Sequence, residues 1–276
     1  MITNLKAVTN LKASSTNLNS VTLSWDKYTD AKGYIIYKFD NSNKKWIRVD
    51  KTVKNQNSYT VKNLNSGVAY KFAVKAYITS DGKELASSSY PVVSALTRFQ
   101  KVDGINSNSS ANSIKLSWNK MNKADGYIVY QYKNGKWARI AQTSNNTYTI
   151  KNLSSGSTYW FTVKAYKMFD NKEVSSVGYN TYKTSTDPEP VCFTVNAGKG
   201  KATLNWSKVK GASGYIAYYK TSANGSWKRL TVTTGTAYSK TGLTKGKTYY
   251  FTVKAYRNYN KKTYNGSYKT VSVKIK

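Results

Sequence analysis

The chain has 276 residues, space for two or three domains of ordinary size. Its 44 Lys+Arg against 12 Asp+Glu give a net charge of +32, and 14% of it is aromatic, with 25 Tyr and 7 Trp. With no histidine, the Ser-His-Asp and Cys-His devices and the favoured zinc ligand are excluded; with one cysteine, Cys192, so is a disulfide within the chain.

In chain order, Met1-Ile2-Thr3-Asn4-Leu5 lacks the apolar core of a signal peptide, and no apolar run approaches 18 residues, so no transmembrane segment is expected. Two expectations follow: a segment of a secreted protein, or a protein not exported by that route. Val21, Leu23 and Trp25 alternate with Thr22 and Ser24, the period-two pattern of a half-buried strand. Asp30-Ala31-Lys32-Gly33 signals a turn, Gly33-Tyr34-Ile35-Ile36-Tyr37 reads as the next strand, and Trp46 follows. Leu64-x-x-Gly67-x-x-Tyr70 then opens a strand. Its Tyr70, Phe72, Val74 and Ala76 should face a core, and its Lys71, Ala73, Lys75 and Tyr77 solvent. Asp81-Gly82 marks the turn after it.

The same order then repeats twice. Trp25 recurs as Trp118 and Trp206, 93 and 88 residues on. Gly126-Tyr127-Ile128-Val129-Tyr130 and Gly214-Tyr215-Ile216-Ala217-Tyr218 match the Gly33 strand, and Trp137 and Trp227 match Trp46. Leu153 to Tyr159 and Leu243 to Tyr249 match Leu64 to Tyr70; Val163-Lys164-Ala165-Tyr166 and Val253-Lys254-Ala255-Tyr256 match Val74 to Tyr77. A period near 90 residues is a domain, not a solenoid unit. About seven short strands per copy, punctuated by turns such as Asn134-Gly135 and Asn224-Gly225, is the pattern of a β-sandwich. Boundaries are expected near Thr97-Arg98 and in the Pro-rich, stiff stretch Ser185-Thr186-Asp187-Pro188-Glu189-Pro190. They give modules at 1–97, 98–186 and 187–276, the first two abutting.

Reactive groups are few. Cys192, between Val191 and Phe193 on what reads as a first strand, is expected to be a buried, inert thiol. Asp26 with Asp30, and Asp81 with Glu84, sit in or beside turns, where Asp is ordinary, and form no pair across a cleft. Gly198-Lys199-Gly200-Lys201 reads as a hairpin turn, not a phosphate loop. No catalytic, cofactor-binding or metal residue is assigned, and a non-enzyme is expected.

Each copy resembles a fibronectin type III module. The Trp of the second strand, the Gly-Tyr-x-aliphatic third strand and Leu-x-x-Gly-x-x-Tyr-x-Phe-x-Val-x-Ala carry the resemblance over nearly the whole chain. It implies an all-β fold of three tandem immunoglobulin-like sandwiches in an elongated array. By the same resemblance Trp25, Trp118 and Trp206 fill cores, and Tyr70, Tyr159 and Tyr249 make tyrosine corners, their hydroxyls bonding to upstream backbone. The family's usual opening proline is missing from the first two copies, leaving the first strands less well marked.

Charge is unevenly shared: residues 1–97 and 98–187 each carry +8, and residues 188–276 carry +16 with Glu189 their only acid. The third copy is therefore the candidate polyanion or glycan binder. Its candidates are Tyr218, Lys220, Tyr250, Lys254 and Tyr256 on outward strand positions, and Lys245, Lys247, Lys261 and Lys262 in loops. Lys269, Lys274 and Lys276 add charge near its end. Tyrosines stacking on sugars while ammonium groups hold anions is one reading. Tyr rings covering Lys stems is the other, and its recurrence in all copies favours it. Only 5 of the 44 basic residues are Arg, which disfavours nucleic acid.

The expected partner is an anionic cell-wall polymer, a polysaccharide or a protein, with the chain monomeric when isolated. The resemblance implies a spacer from a cell-surface or secreted protein of a low-GC Gram-positive bacterium. A phage or injection-particle structural protein is the alternative, and a host-binding adhesin a third reading, for which the Arg-Gly-Asp triplet is missing.

Overall fold

The computed structural model describes residues 5–276; residues 1–4, on which the reading of the N-terminus rests, lie outside it. Its regular elements are β-strands, which form three pairs of sheets, each pair a three-stranded sheet with a five-stranded one.

The first pair is built from β1 (Lys12–Thr16), β2 (Val21–Ser24), β3 (Gly33–Asp40), β4 (Lys45–Lys51), β5 (Ser58–Val61), β6 (Ala69–Ser80), β7 (Lys83–Ala86) and β8 (Val92–Leu96). The sheet orders are β1-β2-β5 and β4-β3-β6-β7, with β8 also on β6. The alternation read from the sequence becomes burial. Val21, Leu23, Trp25, Tyr34, Ile36, Phe72, Val74 and Ala76 form one hydrophobic cluster. Each large member contributes about 1.5–3 kcal/mol by leaving water. Trp25 packs edge-on against Tyr34 at 5.2 Å, and the Tyr34 hydroxyl accepts the Tyr28 N–H at 2.6 Å.

The second pair uses β9 (Asn106–Ser109), β10 (Ile114–Ser117), β11 (Gly126–Lys133), β12 (Lys136–Thr143), β13 (Thr147–Ile150), β14 (Thr158–Phe169), β15 (Lys172–Ser175) and β16 (Tyr182–Ser185). The third uses β17 (Phe193–Gly198), β18 (Lys201–Trp206), β19 (Gly214–Lys220), β20 (Lys228–Thr233), β21 (Ala237–Thr241), β22 (Thr248–Tyr259), β23 (Lys262–Asn265) and β24 (Val271–Lys274). Both repeat the first order of pairing. Ile114, Leu116, Trp118, Phe161 and Val163 are buried in the second. Leu204, Trp206, Tyr215, Phe251 and Val253 cluster in the third. The hydroxyls of Tyr127 and Tyr215 accept the N–H of Met121 at 2.7 Å and Val209 at 2.8 Å, as Tyr34 does in the first copy.

Each copy has eight strands, where about seven were expected. The long β6 pairs with β8 along its first half and β7 along its second, so the seventh strand is broken in two. Past Ser87, whose N–H still bonds the Ala76 carbonyl at 2.9 Å, the chain leaves the sheet, and Pro91 at the break has no N–H to offer. The breaks carry Tyr90, Tyr179 and Tyr268.

The chain divides into two compact units. One comprises Met1–Val102, Lys120–Ile128 and Val163–Asn180; the other comprises Asp103–Asn119, Val129–Thr162 and Thr181–Lys276. In the first unit, Thr97 and Phe99 are buried, and the Phe99 carbonyl accepts the Val177 N–H at 3.0 Å. In the second, the stretch read as a linker begins inside the hydrogen-bonding. The Asp187 N–H donates to the Ser110 carbonyl at 3.0 Å, and its carbonyl accepts the Gly156 N–H at 3.0 Å.

Candidate functional site

The outward face of the third five-stranded sheet carries aromatic rings interleaved with lysines, because facing positions on its strands fall in register. Lys220 pairs with Tyr250, and its Nζ lies 4.8 Å from the Trp227 ring and 5.6 Å from the Tyr250 ring. Its ammonium also donates to the Ala223 carbonyl. Lys254 Nζ lies 4.3 Å from the Tyr268 ring and 5.9 Å from the Tyr218 ring, and Trp227 meets Tyr268 edge-on at 6.2 Å. Tyr256 lies over Gly214, where a Cβ would stand 2.6 Å from its hydroxyl. Tyr218, Lys220, Tyr250, Lys254 and Tyr256 are all half-buried in this layer. Lysine stems cover the rings, and Thr252 on the same face is buried.

The other four candidates lie elsewhere. Lys245 and Lys247 are exposed just before β22; Lys261 and Lys262 follow it. The 12 residues of β22 separate the two pairs, roughly 40 Å at the rise of an extended strand. Lys269, Lys274 and Lys276 are exposed. Lys262 Nζ donates to the Ser107 carbonyl at 3.1 Å and lies 5.2 Å from the Tyr264 ring, so it fastens the third sandwich to the second. The nine candidates thus occupy three places.

Around Lys262, within the same compact unit, the contacts are dense. Asn260 Nδ2 donates to the Lys183 carbonyl at 3.2 Å, and the hydroxyls of Thr184 and buried Tyr264 share a 3.1 Å bond. Asp187 accepts the Ser109 hydroxyl at 2.7 Å. Burial pushes the Asp187 carboxyl above its ordinary value; the Ser109 bond and the Lys262 ammonium pull the other way. Gly156 and Gly211 meet main chain to main chain: a Cβ on Gly211 would stand 2.0 Å from the Gly156 carbonyl oxygen, and one on Gly156 2.3 Å from that of Lys210.

Reading the strands alone misses Tyr90, Tyr179 and Tyr268. Lys75 Nζ lies 4.6 Å from the Tyr90 ring and Lys164 Nζ 5.7 Å from the Tyr179 ring, as Lys254 does with Tyr268. Their signal was available: one tyrosine at the same place after the last turn of every copy.

The corner tyrosines bond upstream backbone, as the resemblance implies, all three as acceptors and Tyr159 also as a donor, to the Ser154 carbonyl at 3.4 Å. The N–H of Asn65 donates to the Tyr70 hydroxyl at 2.8 Å, that of Ser154 to Tyr159 at 2.8 Å and that of Thr244 to Tyr249 at 3.2 Å. The Thr244 donor holds the Tyr249 phenol below its usual value by stabilising the phenolate. Tyr70→Phe therefore strands a donor, and an exposed one that water can reach. The expected loss is about 0.5–1 kcal/mol in a urea melt; a loss well above that would mean the ring itself had shifted.

Cys192 corrects an expectation. It is exposed, one residue ahead of β17, because Val191 and Phe193 on either side of it turn into the third core and alternation leaves it facing outward. The Gly198–Lys201 turn does join β17 to β18 as a hairpin. Among the described residues no three of His, Cys, Asp or Glu stand close enough to hold a metal, and no helix is long and apolar enough to cross a membrane. An open concavity of the first sandwich is lined by Gln56, Tyr59, Thr60 and Lys62. The Tyr59 hydroxyl donates to Asp50 at 2.7 Å, and that carboxylate pushes the phenol up to about 12, too high for a base near neutrality.

Residues 6–92 match the model described as "Fibronectin type III domain", and residues 104–176 the one described as "PBP1-like, fibronectin3-like domain". Exoglucanase B of Cellulomonas fimi is 27% identical over 91% of this chain and 24% of its own length. Chitinase A1 of Niallia circulans is 27% identical over 68% of this chain and 27% of its own. The chain thus spans about a quarter of each relative. A solved two-domain segment of chicken tenascin is 17% identical, covering 66% of this chain and 100% of that one, at a TM-score of 0.43. With two fibronectin models spanning most of its first two copies and the same strand order in all three, the chain belongs to the fibronectin type III family.

Proposed function

We propose that this chain is a non-catalytic spacer of a secreted or cell-surface protein, with modules at 1–97, 98–186 and 187–276, that displays neighbouring domains and holds an anionic or glycan surface. The observation that carries the reading is the charge of residues 188–276, +16 with one acid, set beside a lysine-aromatic face. Cationic strips of this kind attract polyanions and release them with salt. Relatives named as an exoglucanase and a chitinase, each about four times the matched length, support a part carried beside other domains.

The test is retention of the chain on immobilised teichoic acid, heparin, insoluble polysaccharide and DNA, at low and high salt. Retention on the acidic polymers is expected, weakened severalfold when Lys245, Lys247, Lys220 and Lys254 become Gln. Uniform weak retention that vanishes near physiological salt would leave the spacer role alone.

A further inference from the structure

The middle sandwich carries a row that the other two lack. Running across its five-stranded sheet, Lys183 on β16 pairs with Trp160 on β14, and its Nζ lies 4.5 Å from the indole. Trp160 stacks on Tyr132 of β11 with ring centroids 5.3 Å apart and planes 21° apart, and Tyr132 meets Trp137 of β12 edge-on at 5.3 Å. All four lie in one compact unit.

The matching rows differ in kind. In the first sandwich the same positions hold Ser94, Lys71, Phe39 and Trp46; in the third, Ser272, Tyr250, Lys220 and Trp227. In the third a lysine interrupts the aromatic run, and in the first a lysine in place of Trp160 shortens it to the pair Phe39 and Trp46. In the middle sandwich the run is continuous and the lysine stands at its end. It is also more open. Trp160 is 37% and Tyr132 38% exposed, whereas Trp46, Trp137 and Trp227 are half-buried and the core tryptophans are buried. Leaving this much aromatic surface in water gains nothing for the fold, and Trp and Tyr in such settings anchor ligands.

A second observation supplies the charge. The row ends where the third sandwich docks: Asn260 donates to the Lys183 carbonyl at 3.2 Å, and Lys261, its exposed neighbour, extends from the same turn. The turn that carries the exposed Lys261 thus lies against the strand of Lys183, at one end of an aromatic strip spanning three strand spacings, about 14 Å.

We propose that Tyr132, Trp160, Lys183 and Lys261 form a binding strip for an acidic polysaccharide, one bearing carboxylates along a pyranose backbone. It rests on the reading that the array holds a glycan surface, but places the contact on the middle sandwich, outside the third-sandwich lysine-tyrosine face. The ammonium now resting on the indole is held by an exposed cation–π contact, weak enough to be exchanged for an ion pair with a ligand carboxylate. That exchange uncovers the indole face for a sugar ring, so Lys183 selects for the acid while Trp160 supplies the stacking surface.

The experiment compares the full chain with Trp160→Lys, Trp160→Ala and Lys183→Gln, using polygalacturonate as the acidic probe and dextran as the neutral one. Trp160→Lys installs the residue that the first sandwich carries at this position, so the fold has precedent for it. It adds a positive charge. Charge attraction alone would strengthen polygalacturonate binding; loss of the stacking surface weakens it. The expected result is at least tenfold weaker binding for both Trp160 variants with unchanged melting, and for Lys183→Gln a loss of the preference for polygalacturonate over dextran. Polygalacturonate binding by Trp160→Lys as tight as that of the unaltered chain overturns the proposal. So does equal binding of dextran and polygalacturonate by the unaltered chain, which rejects the acidic class. Loss of binding on Lys220→Gln and Lys254→Gln, with Trp160→Ala unaffected, removes this strip and leaves the third-sandwich reading standing. No binding of any polyanion by the unaltered chain removes both.

Discussion

Trp25→Ala is expected to remove about 3–5 kcal/mol of stability, a large share of the roughly 5–15 kcal/mol that holds a domain together. The indole is 3% exposed and sits edge-on against Tyr34, in the cluster that also holds Leu23, Phe72 and Val74. Its Nε1 is buried without an acceptor, so truncation breaks no hydrogen bond of its own. The loss is packing and transfer from water. The cavity would open beside Tyr34, whose hydroxyl fixes the Tyr28 backbone, so the turn before β3 should loosen with it. Urea titration followed by fluorescence should show a midpoint shift for Trp25→Ala far beyond that for Tyr70→Phe. Equal midpoints would remove the indole from the centre of the first core.

Gly33→Ala should come close to the same cost. A Cβ at Gly33 would stand 2.0 Å from the Thr52 carbonyl oxygen and 2.8 Å from Tyr77 Cε1. The obstacle is backbone, and it is pinned. The Thr52 N–H donates to the Tyr34 carbonyl at 2.8 Å, and the Thr52 carbonyl accepts the Tyr77 hydroxyl at 3.3 Å. No rotamer change relieves the clash; a strand must move, at about 3 kcal/mol or somewhat more. The matching glycine of the third copy is the control. At Gly214 the Cβ meets the end of the Tyr256 side chain, which can swing, so Gly214→Ala should cost only about 1 kcal/mol. Thermal melts of the two variants should fall in that order. A reversed order would mean that β3 in the first sandwich yields more readily than its hydrogen bonds imply.

Much of the fold was legible because period-two alternation and a repeated order of tryptophan, glycine and tyrosine are local signals. Val21-Leu23-Trp25 and Phe72-Val74-Ala76 point inward as read. Ala73, read as outward, is nevertheless 1% exposed, because alternation gives the face of a strand but not what covers it. The candidate site was legible only in part. Tyr218, Lys220, Tyr250 and Lys254 do share one face, since register follows from the strands. That Lys262 would spend its ammonium on the Ser107 carbonyl depends on which loops meet, and no local pattern encodes that. Trp160 escaped notice for the opposite reason. It sits at a position where the other copies carry Lys71 and Tyr250, so a search for what repeats passes over what differs.

The meeting of Gly156 with Gly211 has its own consequence. These loops grip through peptide groups, which every residue possesses, not through side chains that must match. Side chains flanking the two glycines can therefore change in size and in charge without disturbing the fit at this point, so long as two hydrogens stay where methyls would collide, while Lys262, Asn260 and the Thr184–Tyr264 pair hold the rest through their side chains. Copies that have drifted from +8 to +16 can keep one shared seam.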